Sequence, residues 1–117
     1  MALHYNLSKV HALSDNDSDF VNEILKLFVT EVPEDLEQIK EGIKKKDHKH
    51  AYAYAHKIKP TLDLLGLNVA FEETLQIEAW TKAEGKKKDI EETFKSVKRQ
   101  VEEAIKEINK DFKFSID

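Results

Sequence analysis

Ala51–Leu67 reads AYAYAHKIKPTLDLLGL, and its periodicity decides the fold. At about 100° per residue, Ala51, Ala55, Ile58, Leu62 and Leu65 fall on one stripe of an α-helix. That stripe is a core face. His56 lies about 140° from its centre, with Lys49, Tyr52, Lys59, Pro60 and Asp63 as neighbours along the helix. The imidazole is therefore expected to face solvent. A neutral imidazole on a rigid helix is a competent nucleophile toward an activated phosphoryl group, and a lysine one turn on can offset the added charge. Exposure alone assigns no chemistry, because most surface histidines on amphipathic helices have none. Pro60 brings no N–H to the His56 carbonyl, so a local kink is expected there.

Around this stretch, Asp47 is placed to cap the helix, and Gly66 with Asn68 marks its end. His48 and His50 are two residues apart and point roughly 200° from each other, so they form no chelate. Tyr52 shares the His56 side and reads as a surface contact. Thr61 falls on a different side and reads as structural. Asp63 places a like charge near any phosphohistidine, opposing it unless Lys59 screens that charge.

Toward the N-terminus, Leu3–Leu13 carries Leu7, Val10 and Leu13 at helical spacing, enough for a short helix laid on a larger body. Residues 14–19, SDNDSD, are helix-capping types rather than a calcium loop, since the turn glycine and terminal glutamate are missing. The next stripe runs Phe20, Ile24, Leu27, Phe28, Val32, Leu36, Ile39 and Ile43, keeping phase across Pro33. One long helix bent near Pro33, or two joined there, satisfies that pattern. On the other side of the central stretch, Val69 to about Ala83 carries Phe71, Leu75, Glu78 and Ala79 on one side, with Ile77 and Trp80 nearby. Gly85–Lys88 is a polar turn, and Asp89 with Glu92 resembles a capping box. Ile90, Phe94, Val97, Val101, Ile105 and Ile108 then form a long regular seam, followed by a tail over 111–117. Four long amphipathic segments with short polar connections predict an all-α, antiparallel up-down-up-down four-helix bundle with a short additional N-terminal helix. A single domain over 1–117 is expected, its core bundle covering about 17–110.

Composition agrees. Of 117 residues, 40% are apolar and 36% charged, with 3 glycines and 2 prolines, as in long amphipathic helices. The net charge of −4 mixes 19 basic with 23 acidic residues, and no overall field marks a nucleic-acid binder. There is no cysteine, so disulfides and thiolate chemistry are excluded. No signal-like start and no run of 18 apolar residues occur, which predicts a cytoplasmic protein without membrane contact, and a monomer is expected. A glycine-rich phosphate loop and a kinase signature are both missing, so ATP chemistry is not expected. A di-metal bundle needs Glu-x-x-His pairs, and the chain contains none.

The segment Ala55-His56-Lys57-Ile58-Lys59-Pro60-Thr61, with Leu65-Gly66-Leu67 further on, resembles the signature of histidine-containing phosphotransfer domains, the relay modules of multistep two-component signalling. The resemblance extends over roughly Asp17 to Ile108. It implies that His56 is the phosphoacceptor and Lys59 the charge stabiliser, with Thr61 and Gly66 as structural motif positions. Pro60 departs from the family, standing where glycine is usual. The resemblance further implies a carrier rather than an autonomous enzyme. It would take a phosphoryl group from a receiver-domain aspartyl phosphate, of a response regulator or hybrid histidine kinase, and pass it to another receiver aspartate. Such a module needs no cofactor of its own, the receiver bringing Mg2+. Lys49, Tyr52, Pro60 and Asp63 are the expected docking residues, all by proximity on the helix. Glu78 matches an acidic position often seen in the family's corresponding helix and is expected to be structural or partner-facing. The alternative is an interaction module of the same fold, never phosphorylated, which binds or scaffolds receivers.

Overall fold

The computed structural model describes residues 4–15 and 17–112. Among these, five α-helices follow in order: α1 (Ser8–Ser14), α2 (Ser18–Lys44), α3 (His48–Leu64), α4 (Asn68–Lys82) and α5 (Glu91–Phe112). A 3-10 turn, Lys87–Asp89, links the last two. Helix α2 packs on α3, α3 on α4 and α4 on α5, while α5 closes back on α2 and α1 lies against α2. The connections leave room only for antiparallel neighbours, so the predicted four-helix bundle with an added N-terminal helix is what forms. None of the described helices is long and apolar enough to cross a membrane.

Helix α2 passes through Pro33 as one helix of 27 residues. Asp17 caps it, its carboxylate accepting from the Asp19 and Phe20 amides at 3.0 and 3.4 Å. The buried seam differs from the expected one in its first half. Val21, Leu25 and Phe28 are inside, whereas Phe20 and Leu27 are 38% and 50% exposed and Ile24 is half-buried. The sequence carries two adjacent apolar stripes there. Only the stripe of Val21, Leu25, Phe28 and Val32 continues in phase into Leu36, Ile39 and Ile43, and a bundle helix buries the continuous one.

Helix α3 follows the sequence closely. The Asp47 carboxylate accepts from the His50 amide at 3.1 Å, and Ala51, Ala55, Ile58, Leu62 and Leu65 are all sealed in the core. Gly42 of α2 meets Ala51 of α3 so closely that an added Cβ would sit 2.8 Å from the Ala51 nitrogen. The helix ends with Gly66 at a φ of +73°, against Asn6. His48 contacts the Gly85 carbonyl at 3.0 Å and His50 the Gln38 amide oxygen at 2.9 Å, so the two rings serve different neighbours.

Three further expectations need correction. In α4 the core residues are Ala70, Thr74, Ile77, Glu78, Trp80 and Thr81, while Leu75 and Ala79 lie toward solvent and Phe71 is half-buried. The threonines can be buried because their hydroxyls donate within the helix, Thr74 to the Ala70 carbonyl and Thr81 to that of Glu78. A hydropathy pattern cannot mark such positions as core. The capping box at Asp89 does not form. Asp89 ends the 3-10 turn, and the Ile90 carbonyl accepts from the Phe94 amide to open α5. Finally, α1 begins only at Ser8, with Val10 fully buried and Leu13 71% exposed. Leu3 lies outside the described residues, as do 113–117 of the expected tail; Asp111 and Phe112 belong to α5.

The segment before α1 is tied down by polar contacts. The Asn6 amide donates to the Leu65 carbonyl at 2.7 Å, His4 contacts Glu107, and the buried Tyr5 donates its hydroxyl to Asp111 at 2.7 Å. Burial first, then the Asp111 carboxylate, pushes the Tyr5 hydroxyl above its ordinary value near 10. The folded state thus keeps this proton longer than the unfolded one. Tyr5 stabilises the fold fully below pH ~10 and loses that contribution as pH rises beyond it. In equilibrium urea titrations, Tyr5→Phe is expected to cost about 1 kcal/mol at neutral pH and to fall less steeply than wild type above pH ~10. Gly42→Ala is expected to cost about 1–3 kcal/mol, since the α2–α3 crossing must open to admit a methyl group.

Candidate functional site

The register that buries Ala55 and Ile58 turns His56 outward, and its side chain is 62% exposed. One edge of the ring is held. The His56 Nδ1 lies 3.0 Å from Oε2 of Glu78 on α4, a carboxylate with only 9% of its side chain exposed. The other oxygen of the same group, Oε1, takes the Lys59 ammonium at 2.9 Å. A carboxylate only accepts, so in a neutral ring the proton belongs on Nδ1 and Nε2 carries the lone pair. That lone pair is on the ring edge away from Glu78.

Neighbouring groups fix the ring from its face and the helix from behind. Tyr52, one turn earlier on α3, stacks on His56 with centroids 5.6 Å apart and planes 16° from parallel. Lys82 of α4 places its ammonium 5.4 Å from the Tyr52 centroid. A cleft of about 650 Å³ opens on this side, with Lys46, Lys49, Tyr52 and Lys82 in its walls. On the α2 side, Lys57 donates to the buried Asp35 at 2.9 Å and lies 3.8 Å from Glu31. The Asp35 hydrogen bond holds the Lys57 ammonium above the usual lysine range. This pair ties α3 to α2 immediately beside His56.

The predicted site residues are only partly brought together. Tyr52 lies on the His56 side and stacks on the ring, and Lys49 and Pro60 are exposed on α3 to either side. Lys59 is four-fifths buried and bound to Glu78, so at rest it is not an open cation. Asp63 is paired with Lys9 of α1 at 2.7 Å, which means that Lys9, not Lys59, offsets its charge. Thr61 is half-buried, and Gly66 serves the helix end. Glu78 at the ring and Lys82 over Tyr52 were not expected. The available signal was a glutamate in phase with the core residues Thr74, Ile77 and Thr81, a buried charge that needs a partner. Among the described residues no group of three or more His, Cys, Asp or Glu side chains could hold a metal ion.

The family model described as Hpt domain matches residues 23–110. The chain belongs to the Hpt domain family. The Hpt fold is also seen in a solved structure that is similar along its length, the HPT domain of the Hpt sensor hybrid histidine kinase from Shewanella. It is 17% identical, with a TM-score of 0.75 over 97% of each chain. Among curated proteins no match is found.

Glu78 dictates a tautomer in this Hpt domain. Long-range 1H–15N NMR spectra at a pH where the ring is neutral are expected to show His56 protonated on Nδ1. In Glu78→Ala that preference should give way to a mixture of tautomers. Nε2 protonation dominating in wild type would contradict the assignment.

Proposed function

We propose that His56 accepts a phosphoryl group on Nε2 from a receiver-domain aspartyl phosphate and passes it to the aspartate of another receiver. The observation that carries this reading is the outward Nε2 on an Hpt bundle, with Nδ1 tied to Glu78. In the forward step the Nε2 lone pair attacks phosphorus, the N–P bond forms, and the P–O bond to the receiver aspartate breaks with its electrons returning to that carboxylate. No proton need leave, because Nε2 bears none. The ring keeps its Nδ1 proton and becomes cationic, and the Glu78 carboxylate stabilises that charge through the existing hydrogen bond. The reverse step to a second receiver uses the same contacts.

Lys59 is the cation for the phosphoryl oxygens. It stands one turn from His56, and Glu78 holds it close without covering Nε2. The stacked Tyr52 limits ring rotation, so the attacking atom is already aimed when a receiver arrives. The cleft, where Lys46, Lys49 and Lys82 outnumber Asp47 and Glu84, suits the acidic pocket of a receiver, and Pro60 lies on the same side of α3. Hpt domains act as carriers, and this chain depends in the same way on its partners: a response regulator or hybrid histidine kinase supplies the receiver and its Mg2+.

Pro60 favours a second reading, a receiver-binding scaffold that is never phosphorylated, because it puts a rigid ring where the family has glycine. Incubation with radiolabelled phosphorylated receivers separates the two. Label is expected to reach the chain, to survive base and to be lost in acid. His56→Gln should abolish it, and Lys59→Ala should slow transfer about 10- to 100-fold. Binding without transfer from any cognate receiver would leave the scaffold reading.

A further inference from the structure

We propose that the groove between the C-terminal part of α2 and the start of α5 docks an acidic segment of a partner protein that inserts one apolar side chain. The groove encloses about 280 Å³ and is walled by five lysines, Lys40, Lys44, Lys87, Lys95 and Lys98. Of these five, only Lys95 has a carboxylate of the described residues within ion-pair distance, Glu92 at 3.7 Å. Lys40, Lys44, Lys87 and Lys98 are charged neighbours with no such partner there. On a chain of net charge −4, this gathers positive potential on one seam. Glu91 is the acidic residue in the lining, and Glu34, Glu37 and Glu102 line the adjoining hollow that Lys98 shares, giving the positive field an edge.

The floor selects the occupant. Ile43 and Phe94 lie at the bottom, only 4% and 8% exposed. A recessed apolar floor is out of reach of a flat bilayer, and a nucleic-acid backbone would make no use of it. A single leucine or phenylalanine projecting from an acidic peptide reaches it while flanking carboxylates meet the lysines. The α2–α5 seam is also opposite the α3–α4 seam that carries His56 and Glu78, so a partner here leaves the ring open. The inference therefore stands apart from the phosphotransfer reading. It makes the bundle two-sided, with exchange on one seam and recruitment on the other.

The test uses the full chain and a fluorescein-labelled peptide of alternating Asp and Glu around a central Leu-Phe pair. Saturable binding by anisotropy is expected, with amide shifts over residues 40–44 and 87–98 in NMR spectra. Replacing Leu-Phe by Ser-Ser should weaken it, as should about 1 M salt, where the screening length falls to about 3 Å. The double variant Lys44→Glu, Lys98→Glu should bind at least about tenfold more weakly while remaining folded by circular dichroism. Should that variant unfold, Lys40→Ala with Lys87→Ala serves instead, with the same expected direction. No binding, equal binding of the Ser-Ser peptide, or shifts centred on the His56 seam would overturn the proposal. Lysine-dependent binding to anionic vesicles without peptide binding would overturn it as well.

Discussion

Everything at the site depends on how closely α3 can lie against α2. Gly42 facing Ala51, with Ala55 one turn on, lets the two backbones approach until no further atom fits. The contact fixes the depth of α3, and the buried stripe of Ala51, Ala55, Ile58, Leu62 and Leu65 fixes its rotation, with the Lys57–Asp35 pair alongside. With both set, the side chains of Ala55 and Ile58 have only the core to occupy, and His56 has only solvent. The exposure of the imidazole is thus a packing result. It needs no polar group to draw the ring outward.

What exposure does not provide is a defined ring. Left alone, a surface imidazole rotates and exchanges its proton between two nitrogens. Glu78 removes that freedom, and it can do so because it is nearly buried: a carboxylate withdrawn from water has a strong need for donors. It finds two, the His56 Nδ1–H and the Lys59 ammonium. A lysine and a glutamate that would otherwise be costly to bury satisfy one another, and the imidazole joins as a third member. The same arrangement keeps a cation within a turn of Nε2 while leaving the lone pair uncovered. Tyr52 adds a flat wall, so the ring is defined at its edge and on its face.

The charged surface is divided along the helices. Glu31, Asp35 and Glu78 are used inside pairs that hold the bundle together. By contrast, lysines near the cleft beside Tyr52 and along the α2–α5 groove are turned to solvent. A chain with a modest negative net charge can in this way present local positive fields without changing the sign of the whole.

Much of this was legible in the amino-acid order. The number of long helices, the seam of α3, most of that of α5, where Ala104 is sealed in the core and the expected Ile105 is half-buried, the Asp47 cap, the Gly66 end and the outward His56 follow from spacing, because a helix has one period and a bundle needs one apolar face from each. Local periodicity failed where two stripes competed, in the first half of α2, and where small polar side chains made the core, at Thr74 and Thr81 of α4. The pairings were also out of reach of the sequence: Glu78 with His56 and Lys59, Lys9 with Asp63, Lys57 with Asp35. Each joins residues on different helices, and the helix wheel of one segment carries no information on how its neighbour is rotated. That rotation is set by the packing of all the helices together, and it alone decided which carboxylate the imidazole would meet.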